Sequence, residues 1–426
     1  MTVCCICFCS HSLYIFGQQK NIELGELKRL YDQKEYFRLE AKFEQYKNQL
    51  PKQQKLFYQI VLSNIFNHCE QSNQFITQIR KTSGNYLDDQ IKKKVLLIEA
   101  DNYIKLYQYR KAAECYNSVI KQYINANDSA GRADQENSES LWRTFANVPA
   151  QQVDIPETVT IKWRPDKLGL IQIPVVHHKD TCELTFDTGA NLSVISESSA
   201  KKLNMKTYNA AINLGSGISG KTVKTALAVA DTLYIGKIMI RNAVFFLLPD
   251  KMLYFKKVAV QHQGIIGEPI IAQLKEVIIN KNGTFTVPLV PSKRSFKNLA
   301  LDELMPIVNF AVGKDSLPFR FDTGASNSVL YQPFFERYKS SILKSGKPYK
   351  LRSVGVGGDI VESPAYTISK FQISIAGHSV LLPQINIRTT SVGTDKDVFY
   401  GNLGQDLFGK FTSMTINFQS MFVDVK

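Results

Sequence analysis

Several features that would mark common functional classes are missing from this chain of 426 residues. An apolar stretch at the amino end, from Val3 to Phe16, is too short to cross a bilayer as a helix. The formal charge is +14, yet the basic residues are spread along the chain without a dense Lys and Arg cluster, so nucleic acid is not a predicted partner. With 44% hydrophobic residues, the chain is long enough to form about two to four globular domains.

Cysteine is scarce after the amino end, since four of the seven cysteines lie within residues 4–9. The other three, Cys69, Cys115 and Cys182, lie far apart and have no metal-ligand spacing, so buried free thiols are predicted. A disulfide between the first two of these is the alternative. The pair His177-His178 has no Asp, Glu or His partner at ligand spacing and falls at a predicted hairpin tip. We therefore predict no metal site and no cofactor.

The amino end has the pattern of a secretory leader. The apolar or small residues of the stretch are followed by Gly17 and then by a charged sequence, which fits a signal peptide over residues 1–18. The usual basic residues before the apolar stretch are absent, so a mis-started or disordered tail is the alternative. The prediction is export to the periplasm or the extracellular space, with no integral membrane segment after the signal is removed.

Residues 22–124 are predicted to form paired amphipathic helices, because apolar and aromatic residues recur at helical spacing between Lys, Glu and Gln. The stretch from Ala100 to Val119 resembles one tetratricopeptide repeat, with Ala112 where two helices approach and Tyr116 at the following turn. The tyrosines of this segment are predicted to pack in the core. The alternative is a concave surface that binds a protein partner.

Residues 125–158 are polar for most of their length and are predicted to be an exposed linker. Leu141, Trp142 and Phe145 interrupt the polar run, so a short helix is expected to dock there. The linker predicts that the helical segment is separable from the rest. A chain that begins near Pro149 would then fold as a monomer.

After residue 159 the pattern changes to short strands rich in Val, Ile, Thr and Phe, and no long amphipathic helix recurs. Strand, turn and returning strand are predicted from Leu170 to Phe186 and again from Met305 to Phe321. The region therefore divides into two similar all-β lobes, residues 159–292 and 293–426.

One short motif occurs at the end of the returning strand in each lobe. The two copies are Phe186-Asp187-Thr188-Gly189-Ala190 and Phe321-Asp322-Thr323-Gly324-Ala325. Glycine lets the backbone approach a carboxylate and offer its N–H group, and a threonine hydroxyl can hold the loop by hydrogen bonds. Two such loops that face each other would bring two carboxylates together.

The motif resembles the catalytic loop of aspartic proteases of the retropepsin and pepsin type, and Ala190 and Ala325 resemble the retropepsin form. A second signature of that family, an apolar pair and a glycine that cross behind the loop, is similar to residues 264–271 and 401–408. Gly267 lies 80 residues after Asp187, and Gly404 lies 82 residues after Asp322. The resemblance implies a bilobed aspartic-protease fold that follows a tetratricopeptide-like helical hairpin domain.

The resemblance also implies a mobile flap over the substrate. Glycine-rich hairpins follow both catalytic loops, and the flap candidates are Gly215, Gly217, Ile218, Gly220, Gly355, Gly357 and Gly358. Ordinary tight hairpin turns are the alternative.

Two carboxylates at close distance cannot both ionise, so the pair holds one proton. Asp187 and Asp322 are therefore the predicted catalytic pair of an endopeptidase that hydrolyses a polypeptide with a bound water. Thr188, Gly189, Thr323, Gly324, Gly267 and Gly404 are the predicted support. Because one chain holds both loops, a monomer is expected. The alternative is an exported, non-catalytic protein that binds peptides or partners on the same scaffold.

Overall fold

The computed structural model describes residues 23–83, 87–123, 129–215, 222–256, 258–354, 360–392 and 397–426. The predicted leader, residues 1–18, lies outside this part of the chain. Of the flap candidates, only Gly215 lies within it, so the other six are not described.

The amino-terminal part is helical. Its helices are α1 at 23–32, α2 Tyr36–Tyr46, α3 Lys52–Ile65, α4 Cys69–Ser83, α5 Asp89–Lys105, α6 Tyr109–Gln122 and α7 Ser129–Thr144. Helices α5 and α6 form an antiparallel pair across a short turn, and Ala112 is fully buried where they pack. The prediction of amphipathic helices is confirmed here, whereas the likeness to tetratricopeptide repeats stays a prediction.

The prediction of an exposed linker is wrong for residues 129–144, because helix α7 occupies them. Its polar residues form a solvent face with pairs one turn apart, such as Arg132 with Glu136. Its other face buries Trp142, which stacks on Tyr109 of α6 with ring centroids 5.5 Å apart. Low hydrophobicity therefore indicated a solvated helix face and not a solvated chain.

The remainder is rich in strands, as predicted. In its first half the strands are β1 Gln152–Asp154, β2 Val159–Lys162, β3 Arg164–Pro165, β4 Ile171–His177, β5 Asp180–Phe186, β6 Ser193–Ser196, β7 Lys206–Gly215, β8 Thr222–Ile235, β9 Ile238–Leu248, β10 Tyr254–Phe255, β11 Val260–Gln261, β12 Gly264–Ile266, β13 Glu276–Asn280 and β14 Thr284–Val287. In its second half they are β15 Leu299–Asp302, β16 Met305–Val312, β17 Asp315–Phe321, β18 Val329–Leu330, β19 Lys347–Val354, β20 Ile360–Ile375, β21 His378–Arg388, β22 Gly401–Leu403, β23 Ser413–Asn417 and β24 Phe422–Val425. Helices α8 Glu197–Lys202, α9 Glu268–Gln273, α10 Gln332–Ser345 and α11 Gln405–Phe408 lie between strands.

The two halves repeat one topology. In the first sheet, built from β1, β3 to β9 and β12, strand β5 is antiparallel to β4 and parallel to β12, and β6 lies between β12 and β9. In the second sheet, built from β15 to β22, strand β17 is antiparallel to β16 and parallel to β22, and β18 lies between β22 and β21. A bridging sheet in the order β2-β14-β13-β23-β24 joins strands of both halves. The repeated motif therefore lies at equivalent places in two sheets.

Helix α10 corrects the prediction that no long amphipathic helix recurs in this region. Pro333 lies in its first turn, where a missing N–H costs nothing. The helix buries Phe334, Phe335 and Ile342, which share one face at helical spacing. The Pro and the aromatic pair were available in the sequence as a helix signal.

Helices of the amino-terminal part pack on both halves. Lys34 and Tyr36 bond to Asp302 in the second sheet, with 2.6 Å between Lys34 Nζ and Asp302 Oδ2. The Tyr107 hydroxyl donates to the carbonyl oxygen of Pro269 in the first half at 2.8 Å. Ile104, Trp142 and other side chains of α5 to α7 share one apolar cluster with residues of the first sheet. The helical part and the strands therefore share a buried interface.

Two further sequence expectations concern membranes and thiols. Within the described ranges no helix is long and apolar enough to cross a membrane. Cys69, Cys115 and Cys182 are buried and free, which confirms the prediction for these three thiols.

Candidate active site

Asp187 and Asp322 lie directly after β5 and β17, where each strand still pairs with a parallel neighbour. The N–H of Asp187 donates to the carbonyl oxygen of Ile266 in β12 at 3.1 Å. The N–H of Asp322 donates to the carbonyl oxygen of Leu403 in β22 at 3.0 Å. The strands that end in the second glycine signature therefore fix the backbone of both acids in the same way.

Two threonines join the loops to each other. The Thr188 N–H donates to Thr323 Oγ1, and the Thr323 N–H donates to Thr188 Oγ1, both at 3.0 Å. Each hydroxyl in turn donates at 2.8 Å to a carbonyl of the opposite strand, Thr188 to Phe321 and Thr323 to Phe186. Both side chains are fully buried. The four bonds hold the two loops in one fixed arrangement.

Gly189 and Gly324 allow the acids to approach. The Gly189 N–H donates to Asp187 Oδ1 at 2.8 Å, and the Gly324 N–H donates to Asp322 Oδ1 at 2.9 Å. A Cβ atom on Gly189 would lie 2.6 Å from Cγ of Asp322, and one on Gly324 would lie 2.2 Å from Cγ of Asp187. Any other residue at either position would displace a carboxylate.

Gly267 and Gly404 lie behind the loops. A Cβ on Gly267 would be 2.6 Å from the backbone of Leu192, and one on Gly404 would be 2.4 Å from the carbonyl oxygen of Ala325. Their N–H groups donate to the hydroxyls of Ser193 at 3.0 Å and Ser328 at 2.9 Å. Each serine follows its Asp at the same spacing, and this regularity of the repeat is the signal in the sequence that could have marked both serines as site residues.

The two carboxyl groups face each other, because each lies against the glycine that follows the other acid. Burial, and then the charge of Asp322, raise the pKa of Asp187 well above its usual range. Burial also raises the pKa of Asp322, but a hydrogen bond from Asn402 opposes that rise. The two groups therefore favour a state with one shared proton, and the bond from Asn402 to Asp322 favours Asp187 as the acid that carries it.

Asn402 makes the site asymmetric. Its Nδ2 donates to Asp322 Oδ2 at 2.7 Å. Strand register pairs Asn402 with Arg320 in the second sheet, and in the first sheet the equivalent pair is Ile265 with Thr185. Isoleucine cannot donate a hydrogen bond, so only Asp322 receives this amide. The sequence did carry a signal for this difference, because Asn402 is a polar residue at a position that is apolar in the other copy of the second glycine signature.

We expect Asn402→Ile to move the acidic limb of the activity profile to higher pH. An amide donor stabilises the carboxylate form of Asp322 and not its protonated form. Loss of the donor therefore raises the pKa of Asp322, so that the pair takes up its second proton, which inactivates it, at a higher pH. Loss of a bond to a charged group predicts a fall in kcat/KM of roughly tenfold on the acidic side. The measurement is kcat/KM against pH.

The control is Asn309→Ile, which removes an amide that bonds to Ser316 at the surface. Its profile should match that of the unaltered protein. An Asn402→Ile profile with an unmoved acidic limb would contradict this role.

The other sequence candidates lie elsewhere. Gly215 is the last residue of β7 and pairs with Thr222 of β8, and β19 and β20 pair up to Val354 and Ile360. The remaining flap candidates fall between these strand ends, outside the described residues. His177 and His178 lie at the β4–β5 turn, and the His177 Nδ1 bonds to the carbonyl of Thr232 at 2.8 Å. No group of three potential metal ligands occurs in the described ranges.

A cavity of about 400 Å³ lies between the helical part and α9, beyond the carboxyl pair. Its lining includes Glu268 and Lys105, and the Lys105 Nζ lies 2.6 Å from Asp101 Oδ2. Burial raises the pKa of Glu268 to about 8, although Lys105 opposes the rise. These groups belong to the interface of the helices with the strands, and they do not contact the pair.

Comparison with known proteins agrees with this geometry. Residues 173–270, which contain Asp187 and Gly267, match the aspartyl protease family. No curated protein sequence matches the chain. Similar solved structures include basic 7S globulin from soybean, with 12% identity and a TM-score of 0.39 over 63% of this chain and 94% of that chain. Another is a retropepsin-like aspartic protease from Rickettsia conorii, with 16% identity and a TM-score of 0.23 over 32% of this chain and 92% of that chain. The family match supports an aspartic-protease-like fold for the first half of the β-rich part.

Proposed function

We propose that this protein is an aspartic endopeptidase in which two lobes of one chain each supply one acid. The observation that carries the proposal is the placement of the buried carboxyl groups of Asp187 and Asp322, each against the glycine of the opposite loop. Each acid receives an N–H from the glycine two residues later, and the threonine bonds hold the loops together. A buried, proton-sharing pair costs folding free energy, and peptide hydrolysis gives it a use.

The asymmetry of the pair assigns the roles. Asp322, whose anion is stabilised by Asn402, accepts a proton from a water while the water oxygen bonds to the peptide carbonyl carbon. Asp187, which holds the shared proton, gives it to the carbonyl oxygen. The C–N bond then breaks as the amine takes up a proton from Asp322, and the hydroxyl proton of the intermediate returns to Asp187. No covalent bond to the protein forms.

We infer a polypeptide substrate, a monomeric enzyme and export to the periplasm or the extracellular space. The helical part is proposed to carry any protein partner. The apolar amino end supports export, and the presence of both acids in one chain supports a monomer.

The expected activity has a defined chemical profile. A peptide library should be cleaved from acidic to near-neutral pH, and a statine-type inhibitor should stop cleavage. Activity should fall at high pH as Asp187 loses its proton, and the raised pKa of that acid extends the active range upward. Chelators and thiol or serine reagents should have no effect.

Cleavage products identified by mass spectrometry at several pH values test this profile. A protein that binds the statine peptide yet cleaves nothing would instead be the non-catalytic binder. Loss of activity in a chelator would contradict the mechanism.

A further inference from the structure

The internal repeat gives the carboxyl pair two walls that can be compared position by position. Alternation along a strand places Thr185 on the face of Asp187, and Arg320 on the face of Asp322. Two residues along a strand span about 7 Å, so both side chains begin close to the acids. In the first wall, the parallel neighbour β12 places Ile265 beside Thr185. The repeated topology therefore sets a neutral residue on one side and a cation on the other.

The first wall is already satisfied. Thr185 is buried, and its hydroxyl lies 3.0 Å from the Gln172 amide nitrogen and 3.3 Å from Nδ1 of His262. The other nitrogen of His262 lies 2.8 Å from Asp166 Oδ2. Ile265 is buried and apolar. The polar groups named on this wall already have hydrogen-bond partners, so the wall offers no unpaired group to a charged substrate side chain.

The second wall has a cation without an ion pair of its own. Arg320 is half-buried, and its Nε is buried with no hydrogen-bond partner. Within the described ranges no carboxylate lies at ion-pair distance from its guanidinium. The nearby Asp397 bonds to Arg388, with 3.4 Å between Arg388 Nη2 and Asp397 Oδ1. Burial raises the pKa of Asp397, and the charges of both arginines oppose that rise. Two arginines therefore share one carboxylate. The ring of Phe399 lies 5.9 Å from the Arg320 guanidinium carbon, so one neighbour of the charge is apolar.

We propose that Arg320 is a specificity-determining residue that selects peptides with an Asp or Glu side chain next to the cleaved bond. The inference rests on the proposed function, because it assigns a substrate to the same site. The side chain of a residue next to the cleaved bond projects from the peptide close to the two acids. Arg320 lies two residues before Asp322 on the same strand face, so its guanidinium can reach that side chain. A guanidinium and a carboxylate form paired, charge-assisted hydrogen bonds, and a substrate carboxylate would supply the ion pair and the Nε partner that Arg320 lacks.

The test uses the full chain and pairs of peptides that differ only by Glu or Gln. Each position that flanks the cleaved bond is varied in turn, and kcat/KM is measured at pH 6, where a free Glu is ionised. The same substitutions are made in statine peptides, whose Kd is measured by calorimetry. At one position we expect a preference for Glu over Gln of roughly ten- to hundredfold.

Arg320→Thr copies the residue of the first wall and should bring that ratio near one. Arg320→Glu should turn the preference towards Lys, and Arg320→Lys should keep part of the preference for Glu. Arg241→Thr is the matched control, because it removes an exposed guanidinium on β9, where β9 pairs with β1. That control should keep the ratio of the unaltered protein.

The two proposals fail in different ways. An unaltered protein that shows no preference for Glu at any flanking position, in cleavage or in Kd, overturns the role of Arg320 and leaves the endopeptidase proposal in place. The same holds if Arg320→Thr shifts the pH profile but keeps the ratio, since Arg320 would then act only on the ionisation of Asp322. Binding that prefers Glu and loses this preference in Arg320→Thr, without any cleavage, supports the subsite and overturns the endopeptidase proposal alone.

Discussion

Asp187→Asn and Asp322→Asn are each expected to lower kcat/KM for peptide hydrolysis by at least about a thousandfold. The amide cannot ionise, so the variant lacks either the base that deprotonates water or the acid that protonates the carbonyl. Because the pair acts as a unit, the double variant should be little worse than either single variant. The measurement is single-turnover cleavage of one peptide from the library.

The fold of these variants should persist. A carboxyl with a raised pKa in the folded state lowers the free energy of unfolding as the pH rises through that pKa, and an amide carries no such penalty. We therefore expect both Asn variants to unfold at an equal or higher temperature at pH 7. Asp231→Asn, at an exposed position of β8, is the control and should cleave normally. Turnover near the rate of the unaltered protein in Asp187→Asn or Asp322→Asn would contradict the assignment of these two acids as the catalytic pair.

The carboxyl pair could be anticipated because the chain carries the motif twice. Strand, turn and strand precede each copy, and a glycine signature follows at nearly equal spacing, so the repeat itself implies two equivalent sites. The threonine bonds between the loops follow from the same residues. The repeat could not predict the differences between the halves. Asn402 and Arg320 differ in residue type from their counterparts in the first half, and a repeat predicts only what its two copies share.

The helical part was predicted less well, for a physical reason. Local patterns give helices, but the polar run of α7 has the composition of a linker, and only its packing shows that one face is buried. The bond between Tyr107 and Pro269 joins residues 162 positions apart. The spacing of residues within one segment predicts its helices and strands, but it does not predict contacts with a distant part of the chain.

Removal of the helical part is expected to prevent stable folding, in contrast to the separability that the linker suggested. A chain that begins at Pro149 loses every helix from α1 to α7, and Leu192, Val194 and Ile212 of the first half lose the apolar cluster that they share with these helices. Exposure of each large apolar side chain costs about 1.5–3 kcal/mol. A few such exposures equal the whole stability of an ordinary domain.

The same interface can be tested by one substitution in the full chain. Phe145 is fully buried, and its ring lies 6.3 Å from that of Tyr208 on β7. Phe145→Ala should lower the free energy of unfolding by about 3–5 kcal/mol in urea. The control is Tyr254→Ala, at a side chain that is 45% exposed, where the loss should be less than about 1 kcal/mol.

The truncated chain and the helical part can also be produced together. If the interface is what the strands need, a separate chain of residues 1–148 should restore solubility and cooperative unfolding to the chain that begins at Pro149. Ala190 of the Asp187 loop and the neighbouring Ile265 belong to the same apolar cluster, so cleavage activity should return with the fold. The measurements are solubility, near-ultraviolet circular dichroism and peptide cleavage. A truncated chain that unfolds cooperatively alone and cleaves peptides at the full rate would show that the helices contribute nothing to the site, and that the buried face of α7 is dispensable.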